Sequence, residues 1–397
     1  VSSREQLQHG KAQHDRPALI FMWEQFAPYH VDRIEAVAEA FGSRFTIVGI
    51  EVSARSNTYA WKPAPSGDTF ERHTLFTGIE AETIPWRQKL RKSLAVINSY
   101  RARAVFLCNQ DQKEILAALV LLRLRGVPTY ALLDAKFDDR PRKLLQESLK
   151  PLVFRLFSGG IAGGERHIAY HRFLGLPAGW IAPGYSAVST ARVRAEAETD
   201  LAPAGLPHAE RDFVLVARFV DKKDIGTAIR AYARFRALHP QSRRRLVLCG
   251  SGASGQALHA LADQTGVADG VVFAGFLDAA AVSRTVARAL ALVLTSLQEP
   301  WGLVVNEAVS LNIPVLCTEN VGARDTLVRN GVNGFIVEAG NDEGLARFMG
   351  MLADDAALWR EMSLACARFA PLADAPAFAA GVGLLVGETP DTLDQAA

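Results

Sequence analysis

Two glutamates eight positions apart, Glu299 and Glu307, bracket the stretch richest in chemistry: Gln298-Glu299-Pro300-Trp301-Gly302-Leu303-Val304-Val305-Asn306-Glu307. The apolar run Ala289–Leu294 before them reads as a buried strand, and Leu303–Leu311 after them suits a helix. Pro300-Trp301-Gly302 breaks the strand between the two. A strand–turn–helix unit of this kind sets Glu299 in the turn, beside the free N–H groups of the helix start, and Glu307 about one turn inside. Both then lie near the carboxyl edge of a parallel sheet, where ligands bind in open α/β folds. One carboxylate by a phosphate-binding helix end, with a second within ribose reach, suits a sugar nucleotide.

Four more segments fall at the carboxyl ends of predicted strands in the same half. Arg218-Phe219-Val220-Asp221-Lys222-Lys223 brings cations to a helix start, where Arg218 and Lys223 would meet a diphosphate. In Gly250-Ser251-Gly252 the missing side chains of Gly250 and Gly252 would let a ligand approach the backbone. Gly275-Phe276-Leu277 offers a nucleobase the ring of Phe276 and the main chain at Leu277. Asn320-Val321-Gly322-Ala323-Arg324-Asp325 offers a turn at Gly322 that could close on phosphates or sugar hydroxyls. Each alone is also an ordinary βα loop; their order on one sheet edge is the stronger signal.

The elements that would position these loops alternate between strands and helices, which argues for parallel α/β layers. In the first half, strands are expected at Ala18–Trp23, Arg44–Ile50, Ala104–Cys108, Val127–Leu133, Leu156–Ala162 and Trp180–Ala182. Helices are expected at Asp32–Phe41, Arg87–Tyr100, Lys113–Arg125 and Glu165–Leu174, while Ser53–Thr83 has no pattern. A second series runs through Phe213–Arg218, Arg245–Cys249, Val271–Ala274, Leu290–Leu294, Pro314–Cys317 and Gly334–Val337, closing with helices at Asp342–Ala353 and Ala357–Phe369. The division this implies is a disordered start at 1–16, a first α/β domain at 17–185, a linker at 186–211, a second α/β domain at 212–375 and a tail at 376–397.

The ordered set Arg218…Lys223, Gly-Ser-Gly, Gly-Phe, Glu299…Glu307 and Asn-Val-Gly resembles the family 4 glycosyltransferases over about Phe213 to Arg347, most specifically from Glu299 to Gly334. The resemblance implies the GT-B architecture: an α/β fold of two Rossmann-like, doubly wound domains facing an interdomain cleft, 17–185 binding the acceptor and 212–375 the nucleotide sugar. It further implies that Arg218 and Lys223 neutralise the donor diphosphate, with the amides of Gly302 and Leu303 on phosphate oxygens. Glu307 would take the ribose hydroxyls, and Glu299 would lie on the sugar. The chain departs from the family in carrying Pro300-Trp301 where Gly-Phe or Phe-Phe is common. It departs again after Val127–Leu133, where Asp134 stands in place of a functional His, followed by Lys136 and Asp138-Asp139-Arg140. Asp134 is the candidate to take over that contact. His30, in the loop after the first strand, reads as a helix-end residue more than as a proton acceptor.

The reaction implied is retaining transfer of a sugar from a nucleotide-diphosphate sugar to a glycan or lipid-linked acceptor, in bacterial exopolysaccharide, capsule or lipopolysaccharide assembly. No Asp-x-Asp triplet is present, so neither a metal nor a separate cofactor is expected. The alternatives are a GT-B-type epimerase, which needs no acceptor, a phosphorylase, and a non-catalytic sugar-nucleotide-binding subunit.

Bulk properties agree with two globular domains: 397 residues, 49% hydrophobic and 22% charged. Of 44 Lys+Arg and 42 Asp+Glu, residues 1–185 hold 25 and 18, leaving 19 and 24 for the rest, so the front half is +7 and the back −5. A basic front suits a charged acceptor or an anionic membrane; no nucleic-acid partner is expected. Cys108, Cys249, Cys317 and Cys366 lack metal-ligand spacing and read as free thiols in a reducing compartment. The expected location is cytoplasmic, with peripheral contact at the inner membrane face. The contact proposed from sequence is the basic segment 87–103, whose Trp86, Leu90, Leu94 and Ile97 form an apolar stripe; the alternative is that this stripe packs on the sheet.

Overall fold

The computed structural model describes residues 16–55 and 69–391, and the expected disordered start therefore lies almost wholly outside the described residues. Two parallel sheets organise the chain. The first has seven strands in the order β3-β2-β1-β4-β5-β6-β7: β1 (Pro17–Trp23), β2 (Thr46–Arg55), β3 (Glu71–Glu80), β4 (Arg101–Leu107), β5 (Thr129–Leu132), β6 (Gly159–Ile161) and β7 (Ile181–Ala182). The second has six, β10-β9-β8-β11-β12-β13: β8 (Asp212–Val216), β9 (Leu246–Cys249), β10 (Val271–Gly275), β11 (Ala289–Leu294), β12 (Val315–Thr318) and β13 (Gly334–Val337). The order reverses between β1 and β4 and again between β8 and β11. These are the switch points at which the strand ends leave a crevice. The architecture is the expected α/β fold of two doubly wound units.

The central strands are apolar on both faces because helices cover both. β11, Ala-Leu-Ala-Leu-Val-Leu, is buried at every position, and β1 at all but its first. One apolar core fills the second unit, and two others lie on opposite faces of the first sheet.

Three expectations change. The stretch read as unpatterned contains β3, an edge strand paired in parallel with β2 through Val48 and Glu71. With one neighbour only, its burial does not alternate, and the sequence carries no period. A helix at Leu144–Phe154, interrupted by Pro151, was not anticipated. The segment expected as a tail forms the helix Ala375–Val386, which returns to the first unit: Phe378 and Val382 join its core, and Tyr130 Oη donates to Leu385 O at 2.7 Å.

The chain thus crosses between the units twice, near 186–189 and 373–375. The crossings are tied to each other where Val188 N–H donates to Ala373 O (3.0 Å) and Thr190 N–H to Asp374 Oδ1 (2.9 Å). The linker also holds the helix Thr190–Ala197, whose Arg192 pairs with Asp32 of the first unit at 2.9 Å.

Candidate active site

The loops leaving β8, β9, β10, β11 and β12 are knit into one continuous edge. Phe219 N–H donates to Ser251 O (2.8 Å), Gly250 N–H to Gly275 O (2.7 Å), Leu297 N–H to Lys222 O (2.9 Å) and Gly322 N–H to Glu299 O (3.2 Å). Side chains add to this: Thr318 Oγ1 donates to Ser296 O (2.6 Å) and Thr295 Oγ1 to Asp224 O (2.8 Å). The five segments singled out in sequence therefore meet in space.

Within that edge Lys223 Nζ forms an ion pair with Glu299 Oε2, which also accepts from Ser296 Oγ at 3.2 Å. Glu299 is buried, so the pair sets where its carboxylate points. Arg218 and Lys222 are exposed beside it. Burial lowers the Lys222 ammonium pKa, and the neighbouring charges of Arg218 and Lys223 lower it further. Three cations crowded at one sheet edge make a site for a polyanion.

Gly302 turns the chain with φ +98°, a conformation that disfavours any side chain, and it delivers Leu303 as the residue preceding the helix Val304–Ser310. Gly250, Gly252 and Gly322 have a further reason to be glycine besides the one expected. A Cβ on each would lie 1.9 Å from Ala217 O, 2.4 Å from Phe219 O and 1.7 Å from Pro300 O. They let neighbouring loops touch. Phe276 is exposed at the rim and Leu277 half-buried, where a planar ring could stack.

Glu307 lies one turn into its helix, partly open at its surface but deep in the protein. Burial pushes its carboxyl up to about 7, with Arg192 opposing and Glu196 and Asp32 adding to the rise. The first unit contributes Asp134, just past β5. It is open to the cleft, yet protein on both sides withdraws water and raises its carboxyl pKa; Arg33 opposes this, and Asp139 and Glu299 add to it. Its open face moderates that rise. The other residues near Asp134 are committed elsewhere: Asp138 pairs with Lys136 (3.1 Å) and Arg166 (2.7 Å), and Asp139 with Arg142 (2.5 Å).

His30 is buried at a helix start, where Ala27 N–H donates to its Nδ1 at 3.1 Å, and burial holds its pKa well below the ordinary histidine value. It serves the helix end.

Sequence reasoning missed what joins the two walls. Arg166 pairs with Asp325 and donates to Val321 O (2.9 Å). His167 accepts from Gly164 N–H at Nδ1 (3.2 Å), leaving Nε2–H to donate to Pro300 O (2.9 Å), and burial lowers its pKa to about 4. Trp301 is buried against Gly163 and Gly164, where a Cβ would meet its ring at 2.7 and 3.3 Å. Its Nε1–H donates to Asn306 Oδ1 (2.8 Å), and Asn306 Nδ2 donates to Ser186 O (2.7 Å) and Ala373 O (3.1 Å), one on each crossing. The departure Pro300-Trp301 is thus filled by an interdomain seal. The paired glycines 163–164 were its one visible signal.

Residues 196–365 match the family model described as glycosyl transferases group 1. That match takes in most of the second domain and under half of the chain. Among curated proteins, the lipopolysaccharide core biosynthesis glycosyltransferase LpsE of Rhizobium meliloti (strain 1021) is 34% identical over 143 residues, 36% of this chain and 39% of LpsE. The match thus spans well under half of that relative. Among solved structures, the apo lipopolysaccharide outer core galactosyltransferase WaaB aligns with TM-score 0.68 at 13% identity, covering 93% of this chain and 99% of WaaB. HepE of Anabaena, solved in complex with UDP and glucose, aligns with TM-score 0.67 at 17% identity, covering 96% and 100%. At such identities the likeness establishes the GT-B fold of the whole chain and nothing finer. The matched region is the part in which Glu299, Glu307, the cations and the knit loops lie.

Proposed function

We propose that the chain is a retaining glycosyltransferase that moves a sugar from a nucleotide-diphosphate sugar to a glycan or lipid-linked acceptor in bacterial polysaccharide assembly. The observation that carries this reading is the single edge on which Arg218, Lys222, Lys223 and the Glu299 carboxylate meet. The functions of LpsE and WaaB and the UDP held by HepE support the substrate class.

In this reading Arg218 and Lys223 stabilise the diphosphate as it leaves, together with the amides of Gly302 and Leu303. Lys223 moves between Glu299 and phosphate, so donor binding and Glu299 orientation are coupled. Glu307 holds the ribose hydroxyls; Phe276 and the Leu277 main chain meet the base. Asp134 accepts hydroxyls of the sugar from the opposite wall. The bond from the anomeric carbon to phosphate oxygen breaks, the acceptor oxygen bonds to that carbon from the same face, and the acceptor proton passes to the departing phosphate. No protein nucleophile is required. The cations take the charge-neutralising role, so we infer activity without a divalent ion; loss of transfer in chelator, restored by magnesium or manganese, would overturn that part.

The test is thermal stabilisation by UDP-, GDP-, ADP- and dTDP-sugars, with Glu307→Ala alongside. Ligand binding to the folded form raises stability by RT ln(1 + [L]/Kd). A rise with one nucleotide class, absent in the variant, fits the reading. No rise with any of them refutes it.

A further inference from the structure

The helix Leu144–Phe154 follows the Asp134 loop and turns only Glu147 and Phe154 fully inward. Leu144, Leu145, Leu149 and Leu152 are 82%, 75%, 54% and 64% exposed. Leu145, Leu149 and Leu152 stand at i, i+4 and i+7, one stripe on one face, and Leu144 widens it. A single exposed leucine is ordinary; four on one short helix form a patch that calls for a partner.

Charge selects the partner. Glu147, the helix's only acid, points inward, where it accepts from Lys150 Nζ (2.6 Å) and Tyr170 Oη (2.8 Å) and faces Arg142 Nη1 at 3.4 Å. The exposed charges along 140–155 are Arg140, Lys143 and Arg155, all positive. An outward apolar stripe flanked by cations, with its acid withdrawn, matches anionic headgroups over hydrocarbon.

A cavity of about 460 Å³, mostly apolar, lies beneath this helix. Leu149 belongs both to the stripe and to the cavity wall, which Val153, Phe154 and Asp134 also line. The exposed face therefore shares Leu149 with the cavity that Asp134 lines. By contrast, the basic segment expected to touch a membrane is partly packed, with Trp86, Arg87, Arg91 and Lys92 exposed. In its helix Trp86–Asn98, Ile97 is in the core, and Lys89 is buried between Glu24 (3.6 Å) and Glu114 (3.2 Å).

We propose that the leucine stripe of Leu144–Phe154 docks on an anionic lipid bilayer, with the cavity mouth at Leu149 facing hydrocarbon. The docking stands on this face alone; only its purpose, bringing a lipid-borne acceptor to Asp134, rests on the transferase reading.

The test is co-sedimentation of the full chain with vesicles of phosphatidylcholine, alone or mixed with phosphatidylglycerol. Binding is expected to the anionic vesicles and to fall with added salt. Leu145→Ser/Leu149→Ser/Leu152→Ser should weaken it about tenfold or more, and Lys143→Glu/Arg155→Glu should weaken it as well. Arg87→Glu/Arg91→Glu should change it far less. An unchanged melting temperature confirms that the serine variant folds. No binding by the unmodified chain, or equal binding by the serine variant, overturns the proposal. So does a dimer in solution that the serine variant dissociates, because the face then belongs to a second copy. If the nucleotide-sugar test fails while vesicle binding behaves as expected, the transferase reading falls and the docking surface remains.

Discussion

Replacing Glu307 by Gln tests the site through its electrostatics, without any substrate. In the fold, burial pushes this carboxyl up to about 7 from an ordinary 4.5. The folded chain therefore keeps a proton that the unfolded chain releases. The stability this contributes is fully present below pH 4.5 and is lost as pH rises through about 7. The gap corresponds to roughly 3 kcal/mol at about 1.4 kcal/mol per pH unit, an upper value because part of the side chain meets water. Gln is neutral throughout and of the same shape. The difference in melting temperature, Glu307→Gln minus unmodified, should therefore rise between pH 5 and pH 8 and level off above. For a domain of this size about 1 kcal/mol moves the midpoint by roughly 2–4 °C, so a rise of about 5 °C is expected. Other titrating groups cancel in the difference. A difference independent of pH would refute the argument that burial governs this carboxylate. A companion measurement links it to function: ribose hydroxyls donating to Glu307 favour its ionised form, so donor binding near pH 7 should release about half a proton. Calorimetry in buffers of different ionisation heat reads that release directly.

Three further outcomes are expected. Asn306→Leu leaves Trp301 Nε1, Ser186 O and Ala373 O without their buried partner, and should cost about 2–4 kcal/mol in chemical denaturation; a loss below about 0.5 kcal/mol would contradict the role given to Asn306. Gly322→Ala puts a methyl against Pro300 O and must push the Glu299 loop away from β12, so transfer should fall about 100-fold or more while circular dichroism stays unchanged; near-normal transfer would show that the loop's placement is not critical. Glu299→Ala should abolish turnover while Glu307→Ala mainly weakens donor binding; unchanged kinetics in both would remove these residues from the site.

What could be read from the sequence followed from local causes, and what could not followed from distant ones. β1 and β11 announced themselves because both faces of a central parallel strand are covered, which demands unbroken apolar runs. β3 did not, because an edge strand answers to one neighbour. The helix Leu144–Phe154 hid because its leucines face outward and Pro151 interrupts its hydrogen bonding, so its pattern matched no buried face. The last helix looked like a tail because nothing local to residues 375–386 states which unit they pack on; that is decided by Tyr130, far earlier in the chain, through the carbonyl of Leu385.

The site divides along the same line. One loop follows each parallel strand, so chain order maps onto position along the edge, and Arg218, Gly250, Phe276, Glu299 and Gly322 could be placed together by counting. Which residues reach across the cleft depends on how two domains lean on each other, and Arg166 and His167 carry no local mark of it. The stretch from Glu299 to Glu307 belongs to both cases. Its Glu299 carboxylate pairs with Lys223 on the loop edge, while Trp301 and Asn306 hold Gly163, Gly164, Ser186 and Ala373. A segment that both binds and braces should transmit hinge movement to its carboxylates. Trp301→Phe keeps an aromatic plug but removes the donor to Asn306 Oδ1, so it separates the two jobs. It should leave nucleotide affinity within about threefold and lower the melting temperature by a few degrees. If affinity falls in step with stability, bracing and binding are one function, and the hinge is part of the donor site.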